Sequence, residues 1–186
     1  GSPVNKTPAL DRLAAEGMRF TDAYCPAPLC VPSRMSFMTS RTATRNQVWN
    51  NAHTLSSGTP TWAHILGAAG YDTTLIGRMH FMGPDQRHGF AKRPIGESHS
   101  QHSGAPVLGG PMWQHFPSTT SGQRRPAVEA AGRGHTHYQW CDEEYTLAAQ
   151  KYLRDYAAGP PDQPFAAVVG CFLPHCPYIA LKELFD

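Results

Sequence analysis

The sequence contains no run of about 18 apolar residues, so no membrane-spanning helix is expected. Charge is also sparse. Charged residues make up 16% of the 186 positions, and the formal net charge is +2. That is too little for the electrostatic footprint of a nucleic-acid binder or of a protein held on an anionic membrane. No basic segment followed by an apolar core marks a secretory leader at the start, and the compartment stays open. Cysteine is scarce and odd in number: Cys25, Cys30, Cys141, Cys171 and Cys176 cannot all pair within one chain. Two Cys-x4-Cys spacings exist, but both exceed the two-residue gap of zinc ribbons and prolines interrupt them, which argues against zinc. What is present is a globular composition, 40% hydrophobic, long enough for one domain with a substantial core. Ten histidines stand out, several of them in Gly/Pro-rich stretches.

Thr7-Pro8 reads as an N-cap followed by the first helical residue, and Gly17 as the stop; Leu10, Leu13 and Ala14 make the apolar stripe. Met18 to Tyr24 alternates apolar and polar residues, the pattern of a short strand. Arg41 to Gly58 is rich in Asn, Thr and Ser and reads as a loop, with Asn50, Asn51 and His53 available to a site. Thr59-Pro60 repeats the helix-opening device, with Trp62, Ile65, Leu66 and Ala69 at helical spacing and Gly70 as the stop. Thr73 to Ile76 is then β-prone and ends at Gly77. A helix leading into such a strand indicates α/β architecture. Ala91 to Thr136 is dense in Gly, Pro, Ser, His and Arg without sustained periodicity; it reads as an irregular excursion over the active-site face. Asp142 to Ala158 has the clearest helical spacing, with Asp142, Glu143 and Glu144 at a start that suits the helix dipole. Pro164 to Phe172 is continuously apolar, as expected of a strand buried on both faces of a parallel sheet.

The rest is organised around Cys30-Val31-Pro32-Ser33-Arg34. Pro32 is tolerated at a helix start, and Ser33 to Ser40 can form the helix, so Cys30 projects at or just before its N-terminus. Free backbone N–H groups and the positive dipole end favour anions there, and Arg34 adds a fixed charge. A lone cysteine is ordinarily a small buried hydrophobe, so the context matters. Arg78 and His80 lie two apart at the end of a predicted strand and can face one crevice. The carboxyl ends of parallel strands are where α/β folds place ligands. The predicted strand ending near Phe172 likewise delivers His175, between Pro174 and Pro177.

These three stretches resemble the signatures of type I sulfatases: Cys-x-Pro-Ser-Arg at Cys30, a Gly-Lys-x-His segment at Gly77 to His80, and a Pro-His-x-Pro segment at Pro174 to Pro177. Met79-His80-Phe81 through Gly83-Pro84-Asp85-Gln86, then His88-Gly89-Phe90, looks more narrowly like choline-sulfatase-type members. Arg78 stands where the family usually has lysine, keeping charge but replacing a compact ammonium with a planar fork. The resemblance implies an alkaline-phosphatase-like α/β fold, a largely parallel sheet flanked by helices. It implies that Cys30 is oxidised by a formylglycine-generating enzyme to an aldehyde, whose hydrate attacks the sulfur of a sulfate ester. Arg34 would hold the hydrate, Arg78 a sulfate oxygen; His80 would assist proton removal and His175 would meet the sulfate or protonate the leaving oxygen. A divalent metal, calcium in the family, would be ligated by the formylglycine oxygen at position 30.

Calcium takes six to eight oxygens, several from carboxylates. The family draws these from an Asp pair before the first helix and an Asp-Asn pair well after the Pro-His-x-Pro segment. The 186 residues therefore read as part of a sulfatase catalytic domain, expected to be inactive in isolation. Two other readings stay open: a phosphonate or phosphate monoester hydrolase of the same superfamily, and a non-catalytic anion-binding domain. No nucleic-acid or membrane partner is indicated, and the oligomeric state is not legible.

Overall fold

Thr73 and Thr74 have no exposed surface, and neither do Leu75 and Ile76; this strand is the axis of the fold. The computed structural model describes residues 4–97, 125–129, 131–159 and 163–185. In chain order the elements are α1 (Pro8–Glu16), α2 (Cys30–Thr39), α3 (Ala43–Asn46), α4 (Trp62–Ala68), β1 (Asp72–Gly77), β2 (Lys92–Ile95) and α5 (Arg125–Glu129). Then follow β3 (Gly132–Arg133), α6 (His137–Ala158), β4 (Phe165–Gly170), β5 (Ile179–Ala180) and α7 (Lys182–Phe185). β1 lies between β2 and β4, and both pairings are parallel. Asp72 pairs with Phe165 and Gly77 with Gly170, so the two strands end level.

Alternation along β1 sends its side chains to two cores. Leu75 packs with Val31, Met35 and Met38 of α2, Ala63 of α4, and Met79, Phe81 and Phe90. Ile76 packs with Tyr138, Cys141 and Tyr145 of α6 and with Phe172. The result is the α/β sandwich of a parallel sheet flanked by helices. A small second sheet pairs β3 with β5, also in parallel. No helix among the described residues is long and apolar enough to cross a membrane.

Several expectations are corrected. Met18 to Tyr24 forms no strand; Met18, Phe20 and Tyr24 are exposed, because no neighbouring strand among the described residues completes a ladder. α4 begins at Trp62, since Thr61 and His64 form a capping box; its buried side is then Ala63 with Trp62, and Ile65 faces out. α6 begins five residues before Asp142, set by a second capping box between Thr136 and Gln139. β4 is an edge among the described strands, and Val169 is 46% exposed, so its apolar run is not buried on both faces. Within Ala91 to Thr136, residues 92–95 are a strand that earns its place by pairing with β1; residues 98–124 lie outside the described residues.

Candidate active site

Cys30 is the first residue of α2, with Leu29 in the extended N-cap position. Leu29 has no side chain able to cap. Asn51 supplies the missing acceptor instead: its Oδ1 takes a hydrogen bond from Val31 N–H at 3.0 Å. The helix start that carries Cys30 is thus pinned by the loop after α3. Cys25, five residues earlier, is exposed and bonds to Ser33 and the Ala27 carbonyl.

His175 and His80 both hydrogen-bond the Cys30 thiol, and with the nearby Arg78 charge they pull it down to about 5 against the opposing effect of burial. Residues from three separate stretches of sequence therefore meet at one atom. Arg34, one turn along α2, is drawn into the same cluster, and its Nη1 donates to the Arg78 carbonyl at 3.4 Å. Burial, and then the neighbouring Arg78 charge, hold the Arg34 guanidinium below its ordinary pKa. All five residues expected from the sequence, Cys30, Arg34, Arg78, His80 and His175, are brought together.

Each histidine has one ring nitrogen already occupied. Arg78 Nη2 lies 3.2 Å from His80 Nδ1. A guanidinium only donates, so Nδ1 accepts and the neutral ring carries its proton on Nε2. His175 Nδ1 lies 2.7 Å from the Cys176 carbonyl oxygen, which only accepts, so here Nδ1 carries the proton. By elimination Nε2 of each ring is left for Cys30: on His80 it is a donor, and on His175 it is a proton acceptor that, once it has taken the thiol proton, donates to the thiolate and so lowers the thiol pKa.

The two strand ends come this close because of glycines. Gly77 has φ +78°, and a side chain there would strike Gly170 and the Tyr145 ring. A Cβ on Gly170 would overlap the Arg78 carbonyl oxygen. Beyond Gly170, Asp142 accepts from the N–H groups of Phe172 at 2.6 Å and Leu173 at 2.9 Å. Asp142 was expected only to serve the helix dipole; it sits inside α6 and clamps the chain that leads to His175. Phe172 is stacked on Tyr138 at 4.5 Å and lies 4.8 Å beneath the Arg78 guanidinium, a cation–π contact.

Glu97 had no sequence signal at all. Its side chain is fully buried, its Oε1 accepts from His80 N–H at 2.6 Å, and its Oε2 lies 3.6 Å from Arg78 Nε. Burial pushes this carboxyl up, while His80, Arg78 and Arg93 pull the other way.

The described residues do not by themselves make a calcium site. The groups around Cys30 are guanidiniums and imidazoles, and the nearby carboxylate, Glu97, faces Arg78 and Arg93. Among the described residues no group of three or more His, Cys, Asp or Glu side chains could hold a metal ion.

On this parallel α/β scaffold a cysteine at a helix N-terminus is faced by Arg78 and two histidines from strand ends and by Arg34 from its own helix, and the fold is alkaline-phosphatase-like. The Sulfatase family profile matches residues 1–183, and the chain belongs to the sulfatase family. It is 33% identical over 188 residues to a choline-sulfatase of Rhizobium meliloti (strain 1021), covering 96% of this chain and 35% of that protein. It is 40% identical over 116 residues to arylsulfatase A of Bos taurus, covering 56% and 23% respectively. The chain thus spans about a third or less of the length of these relatives. By fold it matches a protein solved with its substrate D-glucosamine-2-N,6-O-disulfate, with TM-score 0.60, 24% identity and coverage of 91% of this chain and 30% of the other. It also matches the phosphonate monoester hydrolase of Agrobacterium radiobacter, with TM-score 0.63, 21% identity and coverage of 98% and 39%.

Proposed function

We propose that the whole protein is a sulfuric ester hydrolase and that this chain holds its nucleophile at position 30. The observation that carries the reading is the convergence of Arg34, Arg78, His80 and His175 on Cys30, on a chain of the sulfatase family. Once Cys30 is oxidised by a formylglycine-generating enzyme, the hydrated aldehyde supplies the hydroxyl that attacks sulfur.

The chain's own residues do the following. Arg34 and Arg78 hold negative charge, one beside the group at position 30 and one against the sulfate oxygens. His80, kept as an Nε2–H donor by Arg78, orients an oxygen by donating to it. The proton-accepting nitrogen of the pair is then His175 Nε2, with Nδ1 tied to the Cys176 carbonyl. His175 takes a proton there and returns it to the leaving alcohol oxygen. Sulfate is released when the second hydroxyl of the hydrate loses its proton and the aldehyde re-forms; the family resemblance gives that proton removal to His80, and the occupied Nδ1 of His80 shifts it to His175 Nε2, neutral again after protonating the alcohol. Calcium remains part of the proposal through family resemblance; no step above passes through it, because the described residues offer it no oxygen cage.

A phosphonate monoester hydrolase shares the fold, and kinetics on matched sulfate and phosphonate esters separate the two activities. The decisive experiment expresses the whole protein with an active formylglycine-generating enzyme and measures the peptide mass. Conversion of the thiol to an aldehyde lowers the residue mass by about 18 Da. Cys25, in the same region, is the internal control. A fully unmodified Cys30 together with retained anion binding would instead establish a non-catalytic domain.

A further inference from the structure

Glu97 is a carboxylate with no exposed side-chain surface, and three groups converge on it. Arg78 Nε approaches one oxygen at 3.6 Å; Arg93 Nη2 approaches the other at 3.8 Å; and the backbone N–H of His80 donates to that second oxygen at 2.6 Å. Arg93 is itself anchored. Its Nη1 donates to the Gln86 carbonyl and side chain, each at 2.8 Å, and its Nη2 to the Gly77 carbonyl at 3.2 Å. A buried charge set of this kind is costly to desolvate and does not by itself argue for stability. Its geometry points elsewhere. The Arg78 fork has its Nε edge on Glu97 and its Nη2 on His80 Nδ1. A lysine ammonium is a single point and could not span both.

We propose that Glu97 is a positioning residue: it holds the Arg78 guanidinium so that Nη2 reaches His80 Nδ1, and it grips the His80 backbone, fixing His80 as an Nε2–H donor toward position 30. The pairing of Arg78 with Glu97 is then what makes arginine serviceable where the family usually has lysine. The catalytic meaning of this arrangement rests on the proposed sulfatase reading; the arrangement itself does not.

Two measurements on the whole protein test it. The first uses unmatured protein labelled with 15N-histidine, with the His80 imidazole signals assigned through His80→Gln. The wild type is expected to show the Nε2–H tautomer, and Glu97→Gln and Arg78→Lys to lose that preference. An unchanged tautomer in both variants overturns the proposal. The second uses matured protein and a chromogenic aryl sulfate. Glu97→Gln is expected to lower kcat by roughly 10- to 100-fold, the scale of a lost supporting contact. Against an Arg78→Ala background the same change should add less than about threefold, because the residues act as one unit. An equal penalty in both backgrounds marks Glu97 as merely structural and overturns the proposal. If Glu97→Gln does not fold, Glu97→Asp, which keeps the charge on a shorter stem, is read the same way: wild-type kcat and tautomer together overturn the proposal. Matured wild-type protein without turnover sinks the sulfatase reading, and the tautomer measurement still decides the role of Glu97.

Discussion

The end of β1 and the end of β4 each present a histidine to Cys30, and they hold it by opposite means. At β1, buried charge does the holding: Glu97 grips the His80 backbone, and Arg78 occupies the ring nitrogen. At β4, hydrogen bonds to neutral backbone and aromatic stacking do it: Asp142 takes two amide protons, Phe172 stacks on Tyr138, and His175 ties Nδ1 to the Cys176 carbonyl. One histidine is thereby left a donor and the other an acceptor. Two rings with identical intrinsic chemistry acquire different roles because different partners occupy Nδ1.

The largest effect is expected where both arms are broken at once. Gly170→Ala puts a methyl into the Arg78 carbonyl, backbone against backbone, which no rotamer change relieves. A loss on the order of 4 kcal/mol or more is expected, read as failure of the whole protein to give a cooperative thermal transition. A wild-type transition would mean that the strand ends are further apart than described.

His175→Ala breaks only the β4 arm. Turnover of the matured whole enzyme is expected to fall by roughly 10²–10⁴-fold, the scale of a lost general acid–base. The deficit should shrink with leaving groups that need no protonation; a deficit independent of the leaving group would remove His175 from proton transfer.

Asp142→Ala loosens the same arm from below. It strands two backbone N–H groups, at a cost of about 3 kcal/mol, visible in the urea midpoint. Its turnover loss should be smaller than that of His175→Ala, since the imidazole remains. A midpoint equal to wild type would show the clamp to be dispensable.

The smallest effect concerns both arms acting on unmodified Cys30. Its thiol is lowered to about 5, so the stabilisation it lends is fully present above the unfolded thiol pKa and is lost as pH falls through about 5. The alkylation rate at Cys30, followed by peptide mass, should level off a little above that pH. Cys171, whose thiol is pushed up by burial, should still be gaining reactivity in alkaline solution. Matching profiles for the two cysteines would show that the histidines do not reach Cys30.

The sequence alone determined what local chemistry can determine. Thr7-Pro8 and Gly17 bounded α1, and Thr73 to Gly77 declared a strand. Three short stretches named Cys30, Arg34, Arg78, His80 and His175 and the family they resemble. Local pattern failed where burial needed a distant partner. Leu10 and Leu13 make a good helical stripe and lie exposed, while Met35 and Met38, on a helix whose sequence has no clean apolar stripe, sit in the core. Met18 to Tyr24 alternates like a strand and has nothing to pair with among the described residues. Asp142 read as a dipole residue because its partners, Phe172 and Leu173, are 30 and 31 positions away along the chain. Glu97 was silent because nothing near it in sequence marks it. Only the parallel register decides its place: Ile76 pairs with Ile95, so just beyond the two strand ends Arg78 and Glu97 come side by side. Residue types were legible one position at a time; which nitrogen of each histidine is free is a property of pairings that exist only after the sheet has formed.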